Sequence, residues 1–253
     1  MNVRGKINSQ DNHFSLPLAS PTYHPEDEIV RNYRGLENLS FTYISDADSL
    51  SRLILDVFEI EAEPVTTFSF SRTDFSLAGT YVMANLAVEV IYDGQKFKLD
   101  LHQFLTSMTP AVCGRELLGV SKVDGHIDVT RHESSALVSS RLERPQGHLL
   151  ATGVFRPDVY HGEQGKSITE RVGVRVIPSL KAGTAPDIFE VTRFTSESWG
   201  AELWTGAGTV NFTGASDIDP IHWAPVKKLL KCSYTIGGKS KTTIHSSPKP
   251  IRP

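Results

Sequence analysis

From Pro64 onward the sequence breaks into short runs in which apolar or β-branched residues alternate with polar ones: VTTFSFS (65–71), NLAVEVIYDG (85–94), IDVTR (127–131), SALVSSRL (135–142), HLLATGVF (148–155), ERVGVRVIP (170–178) and EVTRF (190–194). A period of two puts alternate side chains on opposite faces of a strand, and Asp93-Gly94, Gly125 and Gly165 supply the turns between runs. In 171–178, Val172, Val174 and Val176 share one face while Arg171 and Arg175 share the other, the pattern of a strand with one buried face. Helical stretches do not alternate with these strands, so a doubly wound α/β fold is not expected. A mainly β fold with few helices, an antiparallel barrel or sandwich, is expected. With 253 residues, 39% of them apolar, the chain can bury one large core, and a barrel of this size can enclose a ligand cavity.

Two helices are expected. Leu50, Leu53, Ile54 and Val57 recur at i, i+3, i+4 and i+7 behind the capping residues Ser45, Asp46 and Asp48, which predicts a helix over 45–57. Pro225 suits a first helical position ahead of Val226, Leu229 and Leu230, which predicts a second over 225–232. Residues 1–28, with Pro17, Pro21 and Pro25, read as an extended N-terminal arm, 29–245 as a single domain, and the Pro-rich 246–253 as a flexible tail.

Net charge is −3, from 26 Lys and Arg against 29 Asp and Glu, so no positive field exists to grip a phosphate backbone and nucleic acid is not an expected partner. No long uncharged apolar run is present, and the polar first ten residues lack a signal-peptide core; a soluble, cytoplasmic protein with no membrane partner is expected. Cys113 and Cys232 are far apart and form no CxxC pair, and His126, His132 and His148 have no ligand spacing, so neither a metal nor another cofactor is expected.

The segment Cys113-Gly114-Arg115-Glu116-Leu117-Leu118-Gly119-Val120-Ser121-Lys122-Val123 resembles the fingerprint of the acetoacetate decarboxylase family, Gly-Arg-Glu followed by a few mostly apolar residues, a proline and then a lysine pair. Leu16 to Pro21, Tyr43 to Val57, Glu190 to Thr192 and Trp204 to Gly206 are also similar to the family, so the resemblance spans about residues 14–235. It implies a double β-barrel enclosing a cavity, a homo-oligomer, and Lys122 as a nucleophile toward a small-molecule keto substrate. A neutral amine attacks the ketone, and the protonated imine then serves as an electron sink. Keeping a lysine neutral at pH 7 against an ordinary pKa near 10.4 corresponds to roughly 4 to 5 kcal/mol. The family is a known example of a lysine activated in this way by its surroundings.

Departures from the family pattern shape the expected chemistry. The second lysine is replaced by Val123 and the preceding proline by Ser121, which leaves desolvation by Leu117, Leu118, Val120 and Val123 to activate Lys122. The family's cavity glutamates fall at Met83, beside Tyr81, and near Phe68 or Ser69; its carboxylate-binding arginine falls at Leu36, with Arg31 and Arg34 close by. Arg34, Arg31, Met83, Tyr81, Phe68 and Val120 are therefore the expected substrate-binding residues, in a pocket more apolar than the family's own. Arg115 and Glu116 are expected to support the site as an ion pair holding the Lys122 loop.

The expected activity is that of a Schiff-base lyase on a keto group of a largely apolar substrate, of decarboxylase or aldolase/dehydratase type, set in secondary metabolism and other than simple acetoacetate decarboxylation. Two alternatives stay open: a cyclase-like pocket in which Lys122 acts without covalent chemistry, and a non-catalytic small-molecule-binding protein.

Overall fold

The computed structural model describes residues 4–7, 15–23, 32–76, 78–245 and 248–251. Among these the element order is β1 (Asn32–Ile44), α1 (Ala47–Ser51), β2 (Val65–Phe75), β3 (Tyr81–Tyr92), β4 (Gln95–Leu105), α2 (Met108–Leu118), β5 (Lys122–Asp124), β6 (His126–Arg131), β7 (Val138–Glu143), β8 (Leu149–Glu163), β9 (Ser167–Ile177), β10 (Ile188–Trp199), β11 (Glu202–Phe212), β12 (Lys228–Ile244) and β13 (Lys249–Pro250).

The strands β10-β9-β4-β3-β2-β1-β12 follow one another in the sheet, and β12 pairs back onto β10, from Phe194 opposite Ile244 to Trp199 opposite Lys239. That last pairing closes a seven-stranded barrel. The strands β11-β8-β7-β6 continue from β12 as a second sheet that lies over the outside of β2, β3 and β4.

Alternation along the barrel strands assigns each face its own chemistry. Leu39, Phe41, Phe68, Phe70, Leu86, Val88 and Phe104 point outward and pack with Leu142, Leu150, Phe155 and Val210 of the covering sheet, so the large apolar core lies between the two sheets. The intervening residues point into the barrel. Thr67, Ser69 and Ser71 on β2 stand opposite Ala87, Asn85 and Met83 on β3, and Asn85 stands opposite Gln103 on β4. The inward face of β2, β3 and β4 is therefore largely polar, while most of the chain's apolar content fills the inter-sheet layer.

Both expected helices change. Asp46 caps α1 by accepting from the Ser49 N–H at 2.9 Å, but the helix stops at Ser51, and Leu53 and Ile54 are held by i to i+3 turns from Leu50 and Ser51. Such turns keep the apolar spacing without a long helix. The stretch expected as a helix over 225–232 enters β12 at Lys228, with Leu229 opposite Tyr43 and Lys231 opposite Thr42. Here the ladder to β1 overrides the local apolar spacing.

Candidate active site

The helix α2 and the short strand β5 form the mouth of the barrel. Ser107 precedes the helix, and Gly119 ends it in the left-handed region at φ 65°, where Val120 N–H bonds back to the Gly114 carbonyl. Beyond that cap β5 pairs in parallel with β4, Gln103 opposite Lys122 and Phe104 opposite Val123. Partners in a ladder share a face, so Lys122 points into the barrel with Gln103, while Val123 turns toward the apolar layer with Phe104. A side chain next to Lys122 in β5 thus cannot reach the amine, whatever its charge.

Lys122 Nζ donates to the Pro110 carbonyl at 3.1 Å, and its side chain runs directly over Gly114. A small cavity, part of it open to solvent, is lined there by Tyr33, Pro110, Cys113, Leu117, Lys122 and Ile244, among others. Burial depresses the pKa of Lys122 below the ordinary lysine value; Cys113 and Asp100 act in the opposite direction, and the Arg171 cation adds to the depression. Desolvation is the largest cause but not the sole one expected from the sequence.

Deeper in the barrel is a charge cluster that sequence reasoning missed. Asp100 on β4 accepts two hydrogen bonds from Arg171 Nη1 of β9, at 2.7 and 2.8 Å, and one from Asn85 Nδ2 of β3 at 2.8 Å. Burial opposes the carboxylate charge, yet Arg171, Asn85 and Lys98 outweigh it and hold the Asp100 pKa below its ordinary value. Lys98, itself lowered by burial and by Arg171, donates to Thr67 Oγ1 at 3.0 Å. The signal was present in the polar phase of β4, Lys98 and Asp100, which the alternation rule assigns to the face opposite Phe97 and Leu99.

The other expected residues divide. Tyr81 is buried on the lumen face, where its hydroxyl bonds with those of Tyr33 and Thr73. Met83, half-buried, shares that face, opposite Ser71 and Leu105. Phe68 does not: it is fully buried in the inter-sheet layer, edge-on to Phe70 and Phe212 at 5.2 and 5.1 Å, because it occupies the outward phase of β2. Arg34 is exposed beside inward-facing Tyr33, and Arg31 lies outside the described residues. Val120 is buried in the turn between α2 and β5 rather than in the cavity lining.

The expected Arg115–Glu116 ion pair is replaced by separate partners. Arg115 Nη1 approaches the Lys122 carbonyl at 3.5 Å, and Glu116 accepts from the Tyr23 hydroxyl at 2.5 Å. Consecutive helical side chains diverge by about 100° and do not face each other. Tyr23 also closes a loop with Ser15, so residues 15–23 fold back onto α2. Among the described residues no group of three or more His, Cys, Asp or Glu is placed to hold a metal ion, and no helix is long and apolar enough to cross a membrane.

The fold and site together are those of a closed β-barrel with a lysine amine at its mouth and a polar inward face behind it. The chain belongs to the acetoacetate decarboxylase family, whose pattern matches residues 15–245. It is 31% identical over 241 residues to Decarboxylase DEC1 of Cochliobolus heterostrophus, covering 94% of this chain and 95% of that one. It is 24% identical over 227 residues to the acetoacetate decarboxylase of Clostridium botulinum, covering 88% and 89%. The crystal structure of acetoacetate decarboxylase from Legionella pneumophila superposes with a TM-score of 0.73 at 20% identity, covering 100% of this chain and 98% of that one.

Proposed function

We propose that the protein is a Schiff-base decarboxylase in which Lys122 attacks the ketone of a β-keto acid larger and more apolar than acetoacetate. Water leaves as the protonated imine forms, and the carbon–carboxylate bond then breaks toward that imine. Carbon dioxide departs, the enamine takes up a proton, and hydrolysis returns the amine and a ketone. The observation that carries this reading is the Lys122 amine, depressed in pKa by burial and set against Gly114 and Pro110 at the mouth of a closed barrel. The named decarboxylases among the relatives support the direction of the chemistry. Leu117, Leu118 and Ile244 at the mouth favour an apolar tail.

The test pairs 3-oxooctanoate with acetoacetate. Carbon dioxide release is expected to favour the longer acid, and borohydride in its presence is expected to fix the substrate carbon skeleton to the peptide containing Lys122. Full activity in Lys122→Ala, with no adduct in the parent protein, overturns the reading.

A further inference from the structure

Three buried polar atoms around the charge cluster have no hydrogen-bond partner among the described residues: Asn85 Oδ1, Gln103 Oε1 and Arg171 Nε. Asn85 and Gln103 are 7% and 6% exposed and stand opposite each other on β3 and β4, and Gln103 stands opposite Lys122 on β5. All three ladder partners share the lumen face. An unmatched buried polar group is costly and rare, so a cluster of them on the lumen face, one opposite Lys122, is where a water or a ligand group that displaces it makes up the missing bonds.

The orientation of Asn85 is fixed by its neighbour. Asp100, held as a carboxylate by Arg171, can only accept, so the Asn85 NH₂ must face it and the Asn85 oxygen must face away. The site thereby offers an acceptor from Asn85, a donor from Arg171 Nε, and either one from Gln103 as its amide turns. A carboxylate has no proton to give the Asn85 oxygen and is repelled by Asp100. A hydroxyl both donates and accepts, and so satisfies both kinds of atom.

We propose that Asn85 and Gln103, with Arg171 behind them, form a hydroxyl-binding subsite that selects keto substrates carrying an alcohol on the carbon β to the reacting carbonyl. Its role in selecting substrate rests on the reading of Lys122 as the imine-forming amine; binding of the hydroxyl itself does not. The subsite adds to the apolar mouth a polar inner end, so a preferred substrate has a hydroxylated head next to the ketone and an apolar tail.

The test uses an isosteric pair, 4-hydroxy-2-butanone and 2-pentanone, which differ by a hydroxyl in place of a methyl. Dissociation constants come from ligand-observed NMR titration of Lys122→Met, in which no imine can form. The hydroxy ketone is expected to bind about tenfold tighter, the ratio carried by one buried hydrogen bond. Asn85→Leu or Gln103→Leu in that background, each verified as folded by thermal unfolding, is expected to reduce the ratio to about one. Equal affinity for the two ketones in Lys122→Met overturns the proposal, as does a ratio unchanged by both leucine variants; the first result is decisive even if neither variant folds. Borohydride trapping of the same ketones on the parent protein separately tests Lys122: absence of an adduct removes the imine reading and leaves the binding ratio to judge the subsite.

Discussion

Gly114 lies directly beneath the Lys122 side chain: a Cβ at position 114 would fall 2.5 Å from both Cε and Nζ of the lysine. The contact is with the far end of a flexible side chain, which can swing away, while alanine is a better helix former than glycine by about 0.5 to 1 kcal/mol. Gly114→Ala is therefore expected to keep or raise the melting temperature while displacing the amine from Pro110. Imine trapping and turnover should fall by about a hundredfold, read by mass spectrometry and carbon dioxide release beside a thermal melt. A variant as active as the parent would show that the amine does not need this berth.

Gly173 makes the opposite prediction. It sits in β9 where the Leu118 carbonyl at the end of α2 comes down, and an added Cβ would overlap that oxygen. The same joint is fastened by Thr192 Oγ1 donating to the Leu118 carbonyl at 2.5 Å and by Val174 N–H donating to Gly119 at 2.9 Å. Both sides are backbone, so neither yields cheaply. Gly173→Ala is expected to destabilise the protein by about 2 to 4 kcal/mol, measured by denaturant unfolding, and to loosen α2 from the barrel.

The surroundings of Lys122 also set a pH dependence. With burial holding its folded pKa below the ordinary value, the neutral amine becomes available at lower pH than for a free lysine, so the rate of imine trapping should rise with a midpoint below 10.5. Folding is linked with the corresponding sign: between the folded and unfolded pKa values the unfolded chain binds more protons, and this residue's contribution to stability increases as pH rises through that window. Asp100 favours the charged amine and Arg171 opposes it. Asp100→Asn removes the favourable carboxylate while leaving Arg171 charged, so the trapping midpoint should move down. An upward move in a folded variant would contradict the arrangement.

Much of this was legible in the sequence for a simple reason: alternation and turn residues are local. Residues 65–71 and 85–92 were readable as strands because Phe68, Phe70, Leu86 and Val88 keep a strict period of two. What alternation cannot tell is which face is the hollow one. Phe68, expected against substrate, lies on the phase that the covering sheet takes, and the polar phase of β2 faces inward. The helix α2 was hidden inside the motif, although Ser107, Pro110 and Gly119 bracket it with ordinary start and stop residues. The Asp100–Arg171 pair spans 71 residues, and only the closing of β4 onto β9, Lys98 opposite Arg171, brings it together. The strand over 228–244 is likewise a consequence of pairing with β1 rather than of its own pattern.

Phe68 separates a core role from a substrate-contact role. If it lined the chamber, shortening it would open space for substrate and alter KM with little effect on folding. It instead points into the inter-sheet layer, fully buried, with Phe70 and Phe212 each meeting it edge-on and Leu86 opposite on β3. Truncation there leaves a cavity that the packed neighbours cannot fill, since both flanking rings are fixed by their own contacts. Phe68→Ala is expected to cost about 3 to 5 kcal/mol in denaturant unfolding, while the folded fraction retains the parent KM for 3-oxooctanoate. Met83→Ala, on the lumen face opposite Ser71 and Leu105, should do the reverse: a smaller loss of stability and a several-fold change in KM. A KM effect confined to Phe68→Ala would place the chamber on the wrong side of β2.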